Sequence, residues 1–227
     1  MGRLWFFLTF GLVGLVILLS LGIWQVQRLT WKNDILGEIA TQIDADPVPL
    51  AAALDPEFRR YAPVVLSGQF GPDHIRMLAS RKSIGAVYRI IRPFEMDTGR
   101  RVLVDTGWQL QSRDVVNVAS DPVTLTGNLD APQETDGFTP APDIDANIWF
   151  ARDVPAMAAA LGTDPVLVVL QDAPETGLGV TPWPVDTAGV SNNHLQYAIT
   201  WFSLAVIWAG MTIYFLWRTR RSPAPKG

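Results

Sequence analysis

The stretch Asn192-Asn193-His194-Leu195-Gln196-Tyr197-Ala198-Ile199-Thr200-Trp201-Phe202 opens a hydrophobic helix and carries one of the two histidines of the chain. From Ala198 to Trp217 no side chain is charged, and a helix that crosses a bilayer needs roughly 20 mainly apolar residues. His194 therefore stands where a membrane span begins. Ionisable groups at a bilayer edge are costly and mark ligand sites or pathways. Histidine, tyrosine and tryptophan also anchor helix ends at the interface, so residue chemistry leaves both roles open for His194.

A second run, Leu4 to Ile23, has Thr9 and Ser20 as its only polar side chains. A cleavable signal peptide competes for this segment, because Arg3 precedes it and Ser20 and Gly22 resemble a small-residue cleavage site. Its apolar run, however, exceeds the roughly 7 to 15 residues of a signal core, and Trp24-Gln25-Val26-Gln27-Arg28 reads as helix continuing. The chain is thus expected to have two spans.

Charge orients them. Arg3, Arg218, Arg220, Arg221 and Lys226 give the ends +5, while the middle holds all 22 acidic residues and a net charge of -9. The positive-inside rule counts basic residues close to the spans. Arg28 and Lys32 oppose the assignment, and the cluster after Trp217 outweighs them. Both termini are expected in the cytoplasm, with the middle of the chain periplasmic in a bacterial inner membrane. Trp24, Trp31, Trp183, Tyr197 and Trp201 would gather at the periplasmic face, and Trp5, Tyr214 and Trp217 at the other, as aromatic belts do.

The chain has no cysteine. Disulfides, a cysteine nucleophile, a thioredoxin-like pair and c-type haem attachment are excluded, and the exported domain must fold by burial alone. Copper delivery is disfavoured, since soft copper sites want cysteine or clustered methionine and Met77, Met96 and Met157 are scattered.

Along the chain, Trp24, Arg28, Trp31, Ile35 and Ile39 recur at helical steps, so the first span is expected to extend as an amphipathic helix. Asp46-Pro47-Val48-Pro49 ends it. Seven segments then read as short strands bounded by Gly, Pro or Asp: Val64 to Phe70, Ile75 to Ala79, Ala86 to Ile91, Arg101 to Trp108, Val123 to Asn128, Ile148 to Ala151 and Val166 to Leu170. Val102, Val104 and Thr106 alternate with Leu103 and Asp105, which suits antiparallel strands covered on one face. One helix, Val154 to Leu161, starts from Asp153 and stops at Gly162. Pro132 to Ala146 reads as a loop, and Gly107 as a bulge or tight bend.

The fold class expected is a membrane protein of α+β type, with N- and C-terminal transmembrane helices flanking one antiparallel β-rich extramembrane domain, for which a barrel is one form. The divisions are residues 1–24 for the first span, 25–46 for its amphipathic extension, 47–190 for the periplasmic domain, 191–217 for the second span and 218–227 for a basic tail. Exposed carboxylates on an acidic domain read mainly as solvation. No nucleophile elbow, phosphate loop, zinc-spaced set or calcium loop is present, and His74 has no nearby second histidine or cysteine. The residues point to a non-enzymatic protein with no nucleic-acid partner.

The motifs also form an ordered set. Leu21-Gly22-Ile23-Trp24-Gln25-Val26-Gln27-Arg28-Leu29-Thr30-Trp31-Lys32 resembles the first-span signature of the surfeit locus protein 1 family, the cytochrome c oxidase assembly factors. Tyr61 to Phe70, Val102-Leu103-Val104-Asp105-Thr106-Gly107-Trp108, and Trp149-Phe150-Ala151-Arg152-Asp153 with Ala156-Met157-Ala158 resemble further family segments in the same order, and the helix opening at Asn192 is similar to its most characteristic stretch. Asp105-Thr106 replace the family's Asn-Arg, and the basic residues expected before Asn192 are absent.

The resemblance implies a respiratory-chain chaperone that receives haem a from its synthase and presents it to the oxidase catalytic subunit, with His194 as the ligand of the haem iron. Tyr197, Ala198 and Trp201 would join it in binding the cofactor. Ala198 and Ala205 give a strip of small side chains below the imidazole, where either a flat macrocycle or the glycines of the first span (Gly11, Gly14, Gly22) could pack. A scaffold that steadies an assembly intermediate without ligating haem is the alternative function.

Overall fold

The computed structural model describes residues 2–116, 121–172, 177–187, 190 and 192–221. Lys226 of the basic tail, and residues 188, 189 and 191 of the segment before Asn192, lie outside the described residues. The chain divides into two compact units, residues 1–38 with 188–227, and residues 39–187.

The first unit is a pair of helices. Helix α1 runs Gly2–Ile43 without interruption, and at 42 residues it is about 63 Å long at 1.5 Å per residue. It outlasts its apolar run because nothing between Trp24 and Ile43 breaks it: glycine occurs once, at Gly37, and proline not at all. On the extension, Arg28 stacks over Trp31 at 4.9 Å and Trp24 at 6.0 Å. The partner helix α4 covers His194–Arg221. Both are long and apolar enough to cross a bilayer.

The second unit is built on a closed barrel. After a two-residue strand β1 (Val48–Pro49) and a short helix α2 (Leu50–Leu54), the chain forms β2 (Pro63–Phe70), β3 (Ile75–Arg81), β4 (Gly85–Met96), β5 (Arg101–Leu110), β6 (Val123–Asp130), β7 (Ile148–Trp149), α3 (Val154–Leu161) and β8 (Leu167–Leu170). Strands β2, β6, β8, β5 and β4 neighbour one another in that order, and β4 pairs back to β2 to close the ring. Closure removes the sheet edge that would otherwise template aggregation. Strand β4 does two jobs, since its first half forms a hairpin with β3 and its last residues, Phe94 to Met96, pair with β2. Gly68 is required at that seam, because a Cβ there would lie 2.0 Å from the Glu95 carbonyl oxygen.

All seven segments read as strands in the sequence form strands, with β4 longer than expected and β7 shorter. The sheet is mainly antiparallel, but β8 joins β5 in parallel, as β1 joins β2 and β7 joins β3. Alternation along β5 also has a different meaning from the one expected. Val102 and Val104 fill the barrel with Leu66, Phe94, Leu125 and Val168, while Leu103 joins Ile91, Met157 and Val169 beneath α3. Both faces are covered, so both are buried. The bend at Gly107 is a β-bulge: Ile90 faces Gly107 and Ile91 faces Asp105, leaving Thr106 as the extra residue. With φ at +122° and the Thr181 carbonyl 2.2 Å from where a Cβ would stand, Gly107 has no substitute there.

Helix α3 shows why local signals sufficed in one place. The Asp153 carboxylate accepts from the Ala156 N–H at 3.1 Å, Pro155 sits in the first turn, and Gly162 closes the helix in the left-handed conformation. The last turn of α1, residues 39–43, belongs to the second unit and is tied down there: the Asn128 side-chain amide of β6 donates to the Ile43 and Tyr61 carbonyls at 3.0 and 2.9 Å.

Candidate functional site

The helix pair is antiparallel and close-packed. The places where Gly11, Gly14 and Gly22 lack a side chain are taken by Thr212, Trp208 and Phe202 of α4, each within 2.6 Å of a hypothetical Cβ. The Trp208 indole N–H donates to the Gly11 carbonyl at 2.8 Å. Small residues that let helices approach, with a polar side chain bonding across, are what stabilises helix pairs in lipid. Ala198 and Ala205, each 2 % exposed, lie on the α4 stripe that also carries Phe202 and Thr212. Of the two uses the sequence allows for this strip, the structure adopts helix packing, and Ala198 is not an open platform for a macrocycle.

His194 begins α4, half-buried, and its Nδ1 lies 2.7 Å from the Gln25 side-chain carbonyl Oε1 on α1. Gln25 is 8 % exposed. Beyond it, Asn192 donates from its side-chain amide to Asn33 Oδ1 at 2.8 Å. At this end α1 is therefore bonded both to α4, at His194, and to the segment just before it, at Asn192. Glutamine Oε1 can only accept, so Nδ1 carries the proton and the lone pair of the neutral ring resides on Nε2. Nε2 is then the ring atom left to accept a proton or bind a metal. Tyr197 is 54 % exposed, on the open side of α4. Trp201, two turns below His194, is partly exposed. Gln25 lies inside the first-span motif, whose residues by themselves assign it no role. The available signal was an amide two residues past the apolar run, where burying it without a partner is costly.

In the barrel unit the acidic residues do more than solvate the surface. Asp105 is wholly buried on β5, and its Oδ2 accepts from Arg89 Nε at 2.7 Å. Its Oδ1 takes the Gly107 N–H at 3.1 Å. Arg152 stands 4.0 Å from Asp105 and reaches Asp130 at 3.2 Å and Glu134 at 2.6 Å. Arg60 holds the other oxygen of Asp130 at 3.1 Å. Burial pushes the Asp105 carboxyl up, against the pull of Arg89 and Arg152. Glu134 is also pushed up by burial, yet the Arg152 hydrogen bond and charge hold it below the ordinary carboxylate range. Asp105, with Thr106, is one of the places where the chain departs from the family segment it resembles.

Arg89 also donates to the Trp183 carbonyl at 3.0 Å and lies 4.6 Å over its ring. Arg81 lies 4.7 Å from the Trp183 ring and 4.8 Å from that of Trp108. Trp183, read as an interfacial anchor in the sequence, is held by two guanidinium groups of its own domain. His74 borders a cleft of about 480 Å³ with Asp73, Asn147 and Trp149. Burial, then Arg92 and Arg76, lower its pKa, which keeps the ring neutral near pH 7. Among the described residues no three His, Asp or Glu side chains group as a metal site would require.

A pair of long apolar helices flanking a closed five-stranded barrel, with an imidazole held at one end of the helix seam, defines a class of helix-anchored barrel protein. The SURF1 family model matches residues 12–206, and the chain belongs to that family. It is 28 % identical to the SURF1-like protein of Rickettsia bellii, over 86 % of this chain and 84 % of the relative. It is 30 % identical to Surfeit locus protein 1 of Xenopus tropicalis, over 82 % and 67 % of the two chains. Against the SURF1-like protein of Drosophila melanogaster it is 30 % identical over 87 % and 72 %.

Proposed function

We propose that this chain is a non-catalytic assembly factor of cytochrome c oxidase, set in a bacterial inner membrane, that holds haem a at His194 and assists its insertion into the catalytic subunit. The observation that carries the reading is the His194–Gln25 pair, which reserves Nε2 as a lone-pair donor at one end of an apolar helix. Haem a would supply an iron able to take a nitrogen ligand and an apolar ring that travels poorly through water. His194 would hold the iron through Nε2. Since Ala198 is enclosed in the seam, ring contacts would fall to Tyr197 and Trp201. Haem a synthase is the donor in this scheme and the oxidase catalytic subunit the acceptor. The basic segments flanking the spans support a cytoplasmic side for them and a periplasmic barrel.

The test is colour. The full chain, co-expressed with a haem a synthesis system and purified in detergent, should carry a haem a spectrum, and His194→Ala should lose it while remaining inserted and folded. An unchanged spectrum in that variant would defeat His194 as the ligand.

One observation favours a second reading, the scaffold that never ligates haem. His194 and Gln25 satisfy each other across the seam, as a purely interhelical bond would. Absence of haem a from the parent chain itself, with normal oxidase assembly in His194→Ala, would favour it.

A further inference from the structure

We infer that Gln25 is the positioning residue for His194: its side-chain carbonyl holds the imidazole as the Nδ1–H tautomer and thereby makes Nε2 the ligating atom. This rests on the haem reading for its purpose, though not for its geometry.

The separation is 2.7 Å, the short end of the hydrogen-bond range, and an amide oxygen has no proton to offer. A neutral imidazole that donates at Nδ1 must keep its lone pair on Nε2. Without a partner, a histidine side chain favours the opposite tautomer, with the proton on Nε2 and the metal-binding lone pair next to the backbone. The Gln25 carbonyl reverses that preference. Its own placement is firm. One turn before it, Gly22 admits the Phe202 ring to within 2.6 Å of a Cβ position, so the helix backbones approach closely there. Two turns beyond it, Asn33 bonds Asn192, two residues before α4 begins. Gln25 is thus held between two contacts 11 residues apart along α1 and is only 8 % exposed. Ligating histidines elsewhere are oriented in this manner by an acceptor on the second ring nitrogen, and removing the acceptor costs about 10- to 100-fold in metal affinity.

The experiment has two arms on the full chain in detergent. In the first, without haem, ¹⁵N-histidine spectra report which ring nitrogen carries the proton. The chain has two histidines, so His74→Ala isolates the His194 signals. Nδ1–H is expected in the parent chain and in Gln25→Glu, whose carboxylate also accepts, and a shift toward Nε2–H in Gln25→Leu. In the second arm, haem a retained after co-expression should fall about 10- to 100-fold in Gln25→Leu and recover in Gln25→Glu. Nε2–H in the parent chain, or equal haem retention with an identical spectrum in Gln25→Leu, overturns the inference. If no variant binds haem yet the tautomer follows residue 25, the positioning geometry stands and the haem reading falls. Should Gln25→Leu fail to insert, Gln25→Asn, which shortens the amide by one carbon, must show the same loss of Nδ1–H or the inference fails.

Discussion

Arg89 on β4 and Asp105 on β5 meet at 2.7 Å across the strand pair that carries the bulge, and Asp105 is wholly shielded from solvent. A buried pair adds little over a well-packed apolar substitute, but removing one partner strands the other charge. Asp105→Ala should therefore cost about 3 to 5 kcal/mol, since Arg89 is itself 7 % exposed and cannot turn to water. Denaturant unfolding of the full chain in detergent would measure it. A loss under 1 kcal/mol would mean that Arg152 and Trp183 compensate.

Arg152 should set the acid limb of stability. Glu134 is held below the ordinary carboxylate range in the folded chain, so the folded state binds its proton less readily than the unfolded one. The contribution is complete above about pH 4.3, the unperturbed glutamate value, and is lost as pH falls through the lowered folded value. Asp136, held down by the Phe138 N–H and Thr139 hydroxyl, acts in the same direction. Asp105 acts oppositely: its raised pKa takes stability away as pH climbs through the window above its unfolded value. Glu134→Gln should flatten the fall in melting temperature below about pH 4.3 relative to the parent. An unchanged acid limb would remove Glu134 from the account.

The helix seam can be tested by two glycines of opposite surroundings. A methyl at Gly14 would stand 2.5 Å from the Trp208 indole, whereas one at Gly210 meets nothing within 4 Å. Gly14→Ala should destabilise the pair by about 1 to 3 kcal/mol through overpacking, and Gly210→Ala should be neutral or stabilising by up to about 1 kcal/mol from helix propensity. Thermal unfolding in a single detergent compares them, and equal effects would argue against the seam.

Topology is expected to follow the basic segments. Reporter fusions after Lys226 and within residues 132–146 should report opposite compartments. The same compartment for both would contradict two crossings.

Tyr197→Phe and Trp201→Phe should perturb a haem a spectrum less than His194→Ala, because both would contact the ring without binding iron. Tyr197, at 54 % exposure, is expected to matter least. Loss of haem in Tyr197→Phe equal to that in His194→Ala would assign the phenol a direct role at the metal.

Local chemistry was legible in the sequence wherever a short stretch is sufficient to determine the outcome. The apolar runs at Leu4 and Ala198, the Asp153 cap and Gly162 stop of α3, the bulge at Gly107 and the strand segments all depend on residues a few positions apart. His194 was legible as a span-edge histidine for the same reason, and the family motif added only the expectation of a ligand role. Pairing across long separations was beyond that reach. Closure of β4 onto β2, the parallel docking of β8, and the covering of both faces of β5 depend on which strands meet, and alternation in sequence is the same for one covered face or two. Asp105 read as one acid among many because Arg89 and Arg152 come to it from 16 and 47 residues away. Ala198 could have faced a ligand or a helix, and only the approach of Gly22 and its neighbours decided it. Gln25 and His194 are 169 residues apart. The amide becomes informative only when two helices place its carbonyl against an imidazole, because a hydrogen bond is a relation in space that neither residue signals alone.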